Sequence, residues 1–344
     1  MRLAALAEAL LTPHGIDRYL ELVHPMLVRR EARAQITAVE HQTTDTVTLT
    51  LRPSSAWRGF RAGQYVRVSV DIDGVRRTRC YSPAGSQHRA GQLELTIKAQ
   101  GLVSRHLQQA LPGRVVGLSQ AEGSFTLPDP RPERLVLIGG GSGITPLMAM
   151  LCTLADEGHR GEVAFLYYAR SPADLLYADE LARQPAGVRV AVAHPRAGDG
   201  PFTRKHLAAV APWYADAPAR VCGPAALMGA VRAVYEREAI SAQLITEEFT
   251  PPALVVNDDA AEGTVRFTHS GVAVPNSGRP LLEQAEDAGL RPEHGCRMGI
   301  CFSCTKVKTR GAVRDVQSGE VSTEDDEEIQ LCISVPAGDV EINA

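Results

Sequence analysis

Four cysteines in the last fifty residues limit what this chain can become more than any other feature. Cys296, Cys301 and Cys304 are spaced C-x4-C-x2-C, and Cys332 follows after twenty-seven intervening residues. Four thiolates at that spacing match the plant-type ligand set of a [2Fe–2S] cluster, four sulfurs for two irons. Gly295, Gly299 and the small Ser303 let the loop wrap the sulfurs and turn backbone N–H groups toward them. A zinc ribbon also uses four cysteines, but it favours paired C-x2-C knuckles. Here one pair is x4, and Cys332 has no near partner.

Cys80, Cys152 and Cys222 bring the total to seven. An odd, clustered count favours metal ligation in a reducing compartment over a disulfide framework. No stretch approaches the roughly 20 apolar residues needed to span a bilayer. The run Leu3–Leu11 is interrupted by Glu8 and lacks a small-residue cleavage site, so it does not read as a signal peptide. The expected location is the cytoplasm. A net charge of -4, without basic runs or interleaved aromatics, argues against nucleic acid as a partner. At 344 residues the chain is long enough for two or three domains, each with a core.

Residues 1–33 read as a helical extension, with Leu3, Leu6 and Leu10 on one face and Ile16, Tyr19, Leu20 and Val23 repeating the pattern after Pro13–Gly15. Its apolar stripe serves either to pack on the main body or to dock a partner or membrane surface. From Ala34 the period becomes two. Runs at Gln35–Val39, Thr46–Leu51, Tyr65–Val70, Leu93–Lys98 and Val115–Leu118 suggest a small antiparallel barrel ending near Pro130.

Inside that barrel lies VRRTRCYSPAG, residues 75–85. On a strand, Arg79 and Tyr81 point to one face. An aromatic ring can stack on an isoalloxazine, the Ser82 hydroxyl can bond the ring edge, and the guanidinium can hold a phosphate. The plain alternative is an exposed strand end with a half-buried tyrosine. Gly101-Leu102-Val103-Ser104 then opens a helix-like segment, Arg105–Ala110, which offers N–H groups to a pyrophosphate or an ordinary N-cap.

Residues 134–138 form an apolar strand run, followed by Gly139-Gly140-Gly141-Ser142-Gly143-Ile144-Thr145-Pro146 and a helix through Leu154. Strand, glycine loop and helix together let backbone approach a phosphate. Strands at Val163–Tyr168, Val188–Ala193 and Arg220–Cys222 alternate with helices, which predicts a parallel doubly wound sheet. Its C-terminal edge carries Arg170 and Cys222-Gly223-Pro224, where ligands bind in open α/β sheets. Arg170, with no acid until Asp174, inclines the coenzyme preference to NADPH over NADH; a surface arginine is the alternative. Thr250–Gly263 reads as a linker, followed by period-two runs and a helix at Leu281–Ala288. The acidic run Glu324–Glu328 is either a solvated turn or a patch that steers a basic partner.

Taken in order over residues 34–344, these motifs resemble the modular oxygenase reductases of the ferredoxin-NADP+ reductase superfamily. The resemblance implies a multidomain chain. An antiparallel β-barrel flavin domain occupies 34–130, an α/β doubly wound nicotinamide domain 131–250, and an α+β β-grasp ferredoxin-like domain 263–344, after a linker at 251–262. It implies that Arg79, Tyr81 and Ser82 hold the flavin. Gly101 and Ser104 would stand at the phosphates of FAD, and Gly140, Gly141, Gly143 and Thr145 would form the nicotinamide-phosphate loop. Cys222, Gly223 and Pro224 would face the nicotinamide, and Phe249 would approach the flavin's other face. Tyr81, Ser82, Cys222 and Phe249 would thus surround the reacting rings, while Cys296, Cys301, Cys304 and Cys332 hold the iron.

The implied activity is electron transfer from NADPH (or NADH) through FAD and a [2Fe–2S] cluster to a terminal oxygenase, by a monomer with no membrane span of its own. The extension resembles those of reductases serving bacterial acyl-CoA desaturases, membrane di-iron enzymes that would hold the protein peripherally at the inner membrane. A Rieske-type or soluble di-iron oxygenase, a cytochrome P450, or a non-catalytic redox-sensing role are the alternatives. Phe302 departs from the family pattern, in which a small residue is usual, and the extension is longer than in most members.

Overall fold

The computed structural model describes residues 23–28, 31–249, 262–295, 297, 299, 302–316 and 319–344. The helices expected within residues 1–22, most of the expected linker, Cys296 and Cys301 lie outside these. Two compact units are present, one built on the first two sheets and the other on the third.

The first sheet is antiparallel and contains β1 (Arg33–Thr43), β2 (Thr46–Pro53), β3 (Val66–Ile72), β4 (Val75–Tyr81), β5 (Leu93–Lys98) and β6 (Val115–Leu118), in the order β4-β3-β6-β1-β2-β5. It curls toward closure: Pro83, just past β4, bridges Leu95 of β5, and the Ala84 N–H donates to the Glu94 carbonyl at 2.9 Å. Leu93, Leu95 and Ile97 alternate inward on β5 and are fully buried. Each such side chain contributes roughly 1.5–3 kcal/mol of burial. Thr48 and Thr96 are buried on the other face and share a 2.7 Å hydrogen bond. Strict alternation fails there because the next domain covers them, with the Tyr177 hydroxyl bonded to Thr96 Oγ1. Tyr177 sits at φ 56°, and its N–H donates to Gln42 Oε1 at 3.2 Å.

Helix α1 (Leu102–Gln108) starts three residues before the segment expected from Arg105. The second sheet is parallel: β7 (Arg134–Gly140), β8 (Glu162–Tyr168), β9 (Val188–Ala193), β10 (Ala219–Cys222) and β11 (Leu244–Glu247), in the order β11-β10-β7-β8-β9. Strand β11 is absent from the sequence reading. Alternate residues of β7 serve opposite cores. Leu135 and Leu137 pack on α2 (Ile144–Asp156), whereas Val136 and Ile138 join Met228, Val231 and Tyr235 of α5 (Ala225–Arg237). The short helices α3 (Ala178–Ala182) and α4 (Arg204–Val210) complete the domain. With both faces covered, the central strands β7 and β8 are buried throughout after their first residue, as the inner strands of a parallel sheet are.

In the second unit β12 (Thr264–Phe267) pairs antiparallel with β13 (Val272–Pro275) and parallel with β17 (Ser334–Ile342), which in turn pairs antiparallel with β14 (Thr305–Asp315). The short β15 (Val321–Ser322) and β16 (Glu327–Gln330) add to β14. Helix α6 (Leu281–Asp287) lays Leu281, Leu282 and Ala285 on Val265, Phe267, Val340 and Ile342. This is the ferredoxin-like mixed sheet with a crossing helix. Among the described residues no helix is long and apolar enough to cross a membrane.

Candidate functional site

The VRRTRCYSPAG stretch is strand β4 and the turn after it. Arg79 is half-buried and donates from Nη1 to the Thr78 carbonyl at 2.7 Å. Tyr81 is half-buried against the barrel core. Ser82 is 3% exposed, and its enclosed Oγ has no hydrogen-bond partner among the described residues. Such an atom costs about 1–3 kcal/mol unless a ligand satisfies it. A hydroxyl with unspent capacity directly beyond a half-buried ring fits a flavin edge. Ser104 behaves differently. Its Oγ accepts from the Gln100 and Gly101 N–H groups, each at 2.9 Å, and bonds the Gly101 carbonyl at 3.1 Å. The hydroxyl is therefore used in capping α1, with Gly101 as the cap residue.

The glycine loop and the Cys-Gly-Pro segment meet at the carboxyl ends of β7 and β10, neighbours with Gly139 paired to Cys222. A Cβ on Gly140 would stand 2.7 Å from Leu227 and 2.8 Å from Pro224, and one on Gly143 would stand 2.4 Å from the Cys222 carbonyl oxygen. At Gly143 the contact is with backbone and leaves no room for a side chain, whereas at Gly140 it is with the side chains of Leu227 and Pro224, which would have to give way. Gly141 takes φ +54°, and its carbonyl accepts from the Tyr167 hydroxyl at 3.2 Å. Thr145 is buried, with Oγ1 donating to the Ser142 carbonyl at 3.2 Å. Phe249, just past β11, is half-buried against the core under α2.

In the second unit Cys304 and Cys332 are 1% and 8% exposed. The Gly299 N–H points at Cys332 Sγ, 3.3 Å away. A backbone donor aimed at a buried sulfur fits a thiolate ligand of an iron–sulfur cluster. Arg297, at φ 61°, binds both carboxylate oxygens of Glu286 on α6, one of them at 2.9 Å, and so ties the cysteine loop to that helix. Phe302 takes φ 54° and is 65% exposed.

Comparison with known proteins agrees with this three-part reading. Residues 33–127 match the oxidoreductase FAD-binding domain family, 137–233 the oxidoreductase NAD-binding domain family, and 267–337 the 2Fe-2S iron-sulfur cluster binding domain family. The NADPH oxidoreductase of Mycobacterium tuberculosis is 34% identical over 98% of this chain and 90% of its own length. The chain belongs to the ferredoxin-NADP+ reductase superfamily, in its modular oxygenase-reductase branch. A glycine betaine monooxygenase reductase subunit of Pseudomonas aeruginosa is 30% identical to this reductase, over 83% and 87% of the two chains. The solved structure of a phthalate dioxygenase reductase, 25% identical, superposes with a TM-score of 0.64, covering 91% of this chain and 97% of that one. The reductase is an oxidoreductase with FAD, NAD(P) and [2Fe–2S] domains.

One residue beside the candidate site escaped the sequence reading. Glu247 ends β11 in register with Cys222. It is half-buried as a residue, but its Oε2 is enclosed and has no partner among the described residues. Burial pushes its carboxyl up to about 8. Burial also pushes the neighbouring Cys222 thiol well above its ordinary value, with the charges of Glu247 and Glu248 adding to the effect. Both groups are thus held neutral near pH 7. The available signal was a carboxylate closing an apolar strand, but β11 itself was not recognised.

The acidic run does not act as one patch. Glu324, Asp325, Asp326 and Glu328 are exposed. Glu327 instead faces Lys308, a fully buried lysine whose Nζ lies 3.3 Å from its Oε2 and 3.0 Å from the Gly311 carbonyl. Ser322 Oγ donates to the same carboxylate oxygen, and Lys308 also reaches the Glu324 carbonyl at 2.5 Å.

Proposed function

We propose that the reductase oxidises NADPH and delivers the electrons, through FAD and the cluster, to a terminal di-iron oxygenase, with a membrane fatty acyl desaturase as the partner. When bound, the flavin takes two electrons as a hydride and releases them singly, as a [2Fe–2S] centre requires. In this reading Tyr81 and Ser82 hold the flavin ring and Arg79 a flavin phosphate, with Gly101 and Ser104 shaping the turn beside it. Gly140, Gly141, Gly143, Thr145 and Arg170 bind the coenzyme's phosphates. Cys222, Gly223, Pro224 and Phe249 enclose the nicotinamide, and Glu247 keeps a proton beside Cys222. Cys296, Cys301, Cys304 and Cys332 ligate the cluster.

The acceptor half of this reading is carried by the exposed acids Glu324, Asp325, Asp326 and Glu328, which end four residues before Cys332. Negative charge near the cluster steers a partner presenting lysine and arginine, such as the basic cytoplasmic face of a membrane enzyme, and salt weakens the attraction. The reductase then works as a cytoplasmic monomer, at the membrane only through its partner. The test is reconstitution with membrane desaturases and with soluble oxygenases, following product formation against salt. Neutralising the four exposed acids should slow partner-dependent turnover and flatten its salt dependence, while ferricyanide reduction continues. Turnover with a soluble oxygenase alone would reject the desaturase. A terminal oxygenase other than a desaturase, Rieske-type or soluble di-iron, is the second reading; the likeness to the glycine betaine monooxygenase reductase subunit supports a monooxygenase partner.

A further inference from the structure

Arg170 leaves the sheet edge just beyond the glycine loop, since Tyr168 of β8 is paired with Gly140 of β7. Its side chain is 49% exposed, but it is not electrically free. Nη2 lies 2.5 Å from Asp174 Oδ1 and 3.9 Å from Asp45 Oδ2. The second oxygen of Asp174 accepts from Ser171 Oγ at 2.7 Å, which fixes the carboxylate in place. Lys98 Nζ stands 3.1 Å from Asp45 and 4.0 Å from Asp174. Two cations and two carboxylates therefore share this corner, and their formal charges cancel. Asp45 lies in the turn between β1 and β2 and Lys98 at the end of β5, so the barrel helps to set the charge at the nucleotide edge.

We propose that Asp174 competes with the coenzyme's 2′-phosphate for Arg170 and thereby sets the reductase's discrimination between NADPH and NADH. The inference rests on the reading of Arg170 as the residue facing the coenzyme's ribose. A 2′-phosphate arriving at Arg170 meets a carboxylate already bonded to the same guanidinium. It must either displace Asp174 or accept like-charge repulsion at close range. NADH presents a 2′-hydroxyl there, which can donate to that carboxylate, so it meets no such opposition. The hydrogen bonds from Ser171 and, less strongly, Arg170 hold the Asp174 carboxyl below its usual range, which keeps it ionised at neutral pH.

The test uses the FAD- and cluster-loaded protein with ferricyanide as acceptor, comparing kcat/KM for NADPH and NADH. Asp174→Asn keeps the side chain's shape and its capacity to accept from Ser171, but removes the charge. The NADPH:NADH ratio should rise about three- to tenfold, mostly through KM for NADPH, as expected for releasing a partly exposed ion pair and its repulsion. Arg170→Ala should lower the ratio. In the double variant the gain from Asp174→Asn should vanish, because Asp174 acts through Arg170. Calorimetry supplies a readout independent of turnover: Asp174→Asn should tighten binding of adenosine 2′,5′-bisphosphate more than that of 5′-AMP. If Arg170→Ala leaves the ratio unchanged, the reading of Arg170 at the 2′-position is wrong. If Arg170→Ala lowers the ratio while Asp174→Asn leaves it unchanged, or alters both coenzymes equally, that reading stands and the competition is overturned.

Discussion

Gly143 and the Cys222 carbonyl are in such close contact that a Cβ on the glycine would stand 2.4 Å from that oxygen. Two loops separated by almost eighty residues of chain are thus fitted to one another by the absence of a side chain. Gly143→Ala must push the Cys222 segment away, and overpacking of this kind costs about 1–3 kcal/mol. The variant should keep its FAD and cluster spectra while KM for the coenzyme rises and flavin bleaching slows. Stopped-flow reduction by NADPH checks this, and wild-type rates would show that the contact is unimportant.

Ser82 has a buried hydroxyl that no group among the described residues satisfies. Ser82→Ala should therefore leave the flavin-free protein as stable as before, or more stable, by thermal melting. With flavin present the same change should slow reduction by about three- to tenfold, the loss of one hydrogen bond. A lowered melting temperature in the flavin-free form would mean that the hydroxyl has a structural partner instead. Tyr81→Ala should loosen the flavin, seen as loss of colour on gel filtration. Cofactor extraction should yield FAD, and FMN would contradict the assignment.

Glu247 has its carboxyl raised from 4.5 to about 8 by burial. The folded state therefore holds a proton that the unfolded chain releases between those values. This contribution to stability is complete below pH 4.5 and disappears as pH rises through about 8. Melting temperature should fall across that window, and Glu247→Gln should flatten the fall. If hydride transfer depends on the protonated acid, its rate should decline on the alkaline side in the wild type only. A pH profile identical in both proteins would remove Glu247 from the site.

Cys304 is almost fully buried, with Cys332 nearby in the same core. Purified protein should contain about two irons and two acid-labile sulfides per chain. Cys304→Ser, and likewise Cys296→Ser or Cys301→Ser, should remove the cluster's absorption and paramagnetic signal while coenzyme-driven flavin bleaching persists. An unchanged cluster spectrum in any of the three would mean that the ligand set is different.

Much of this was legible before folding because the signals are local. The runs of β5, β6 and β9 read to the residue, since the pattern of side chains along a strand is a property of neighbours. The cysteine spacing and the glycine loop were equally plain, because ligand distance and close backbone approach restrict which residues can stand where. Ser104 is a case where sequence left two uses open, and the hydrogen bonds from Gln100 and Gly101 show the cap.

What the chain order concealed came from contacts between distant segments. Strand β11 is only four residues long, and its place beside β10 makes it a strand and brings Glu247 level with Cys222. Glu327 looks like its acidic neighbours until the buried Lys308 shows that its carboxylate faces inward. Arg170 looked free because Asp174 lies four residues on and Asp45 far back in the barrel, yet both carboxylates converge on it. Residue type and spacing determined which cofactors this protein can hold. Which charges are neutralised, and which protons are retained, depends on desolvation and on partners from other elements, and only the tertiary structure decided those.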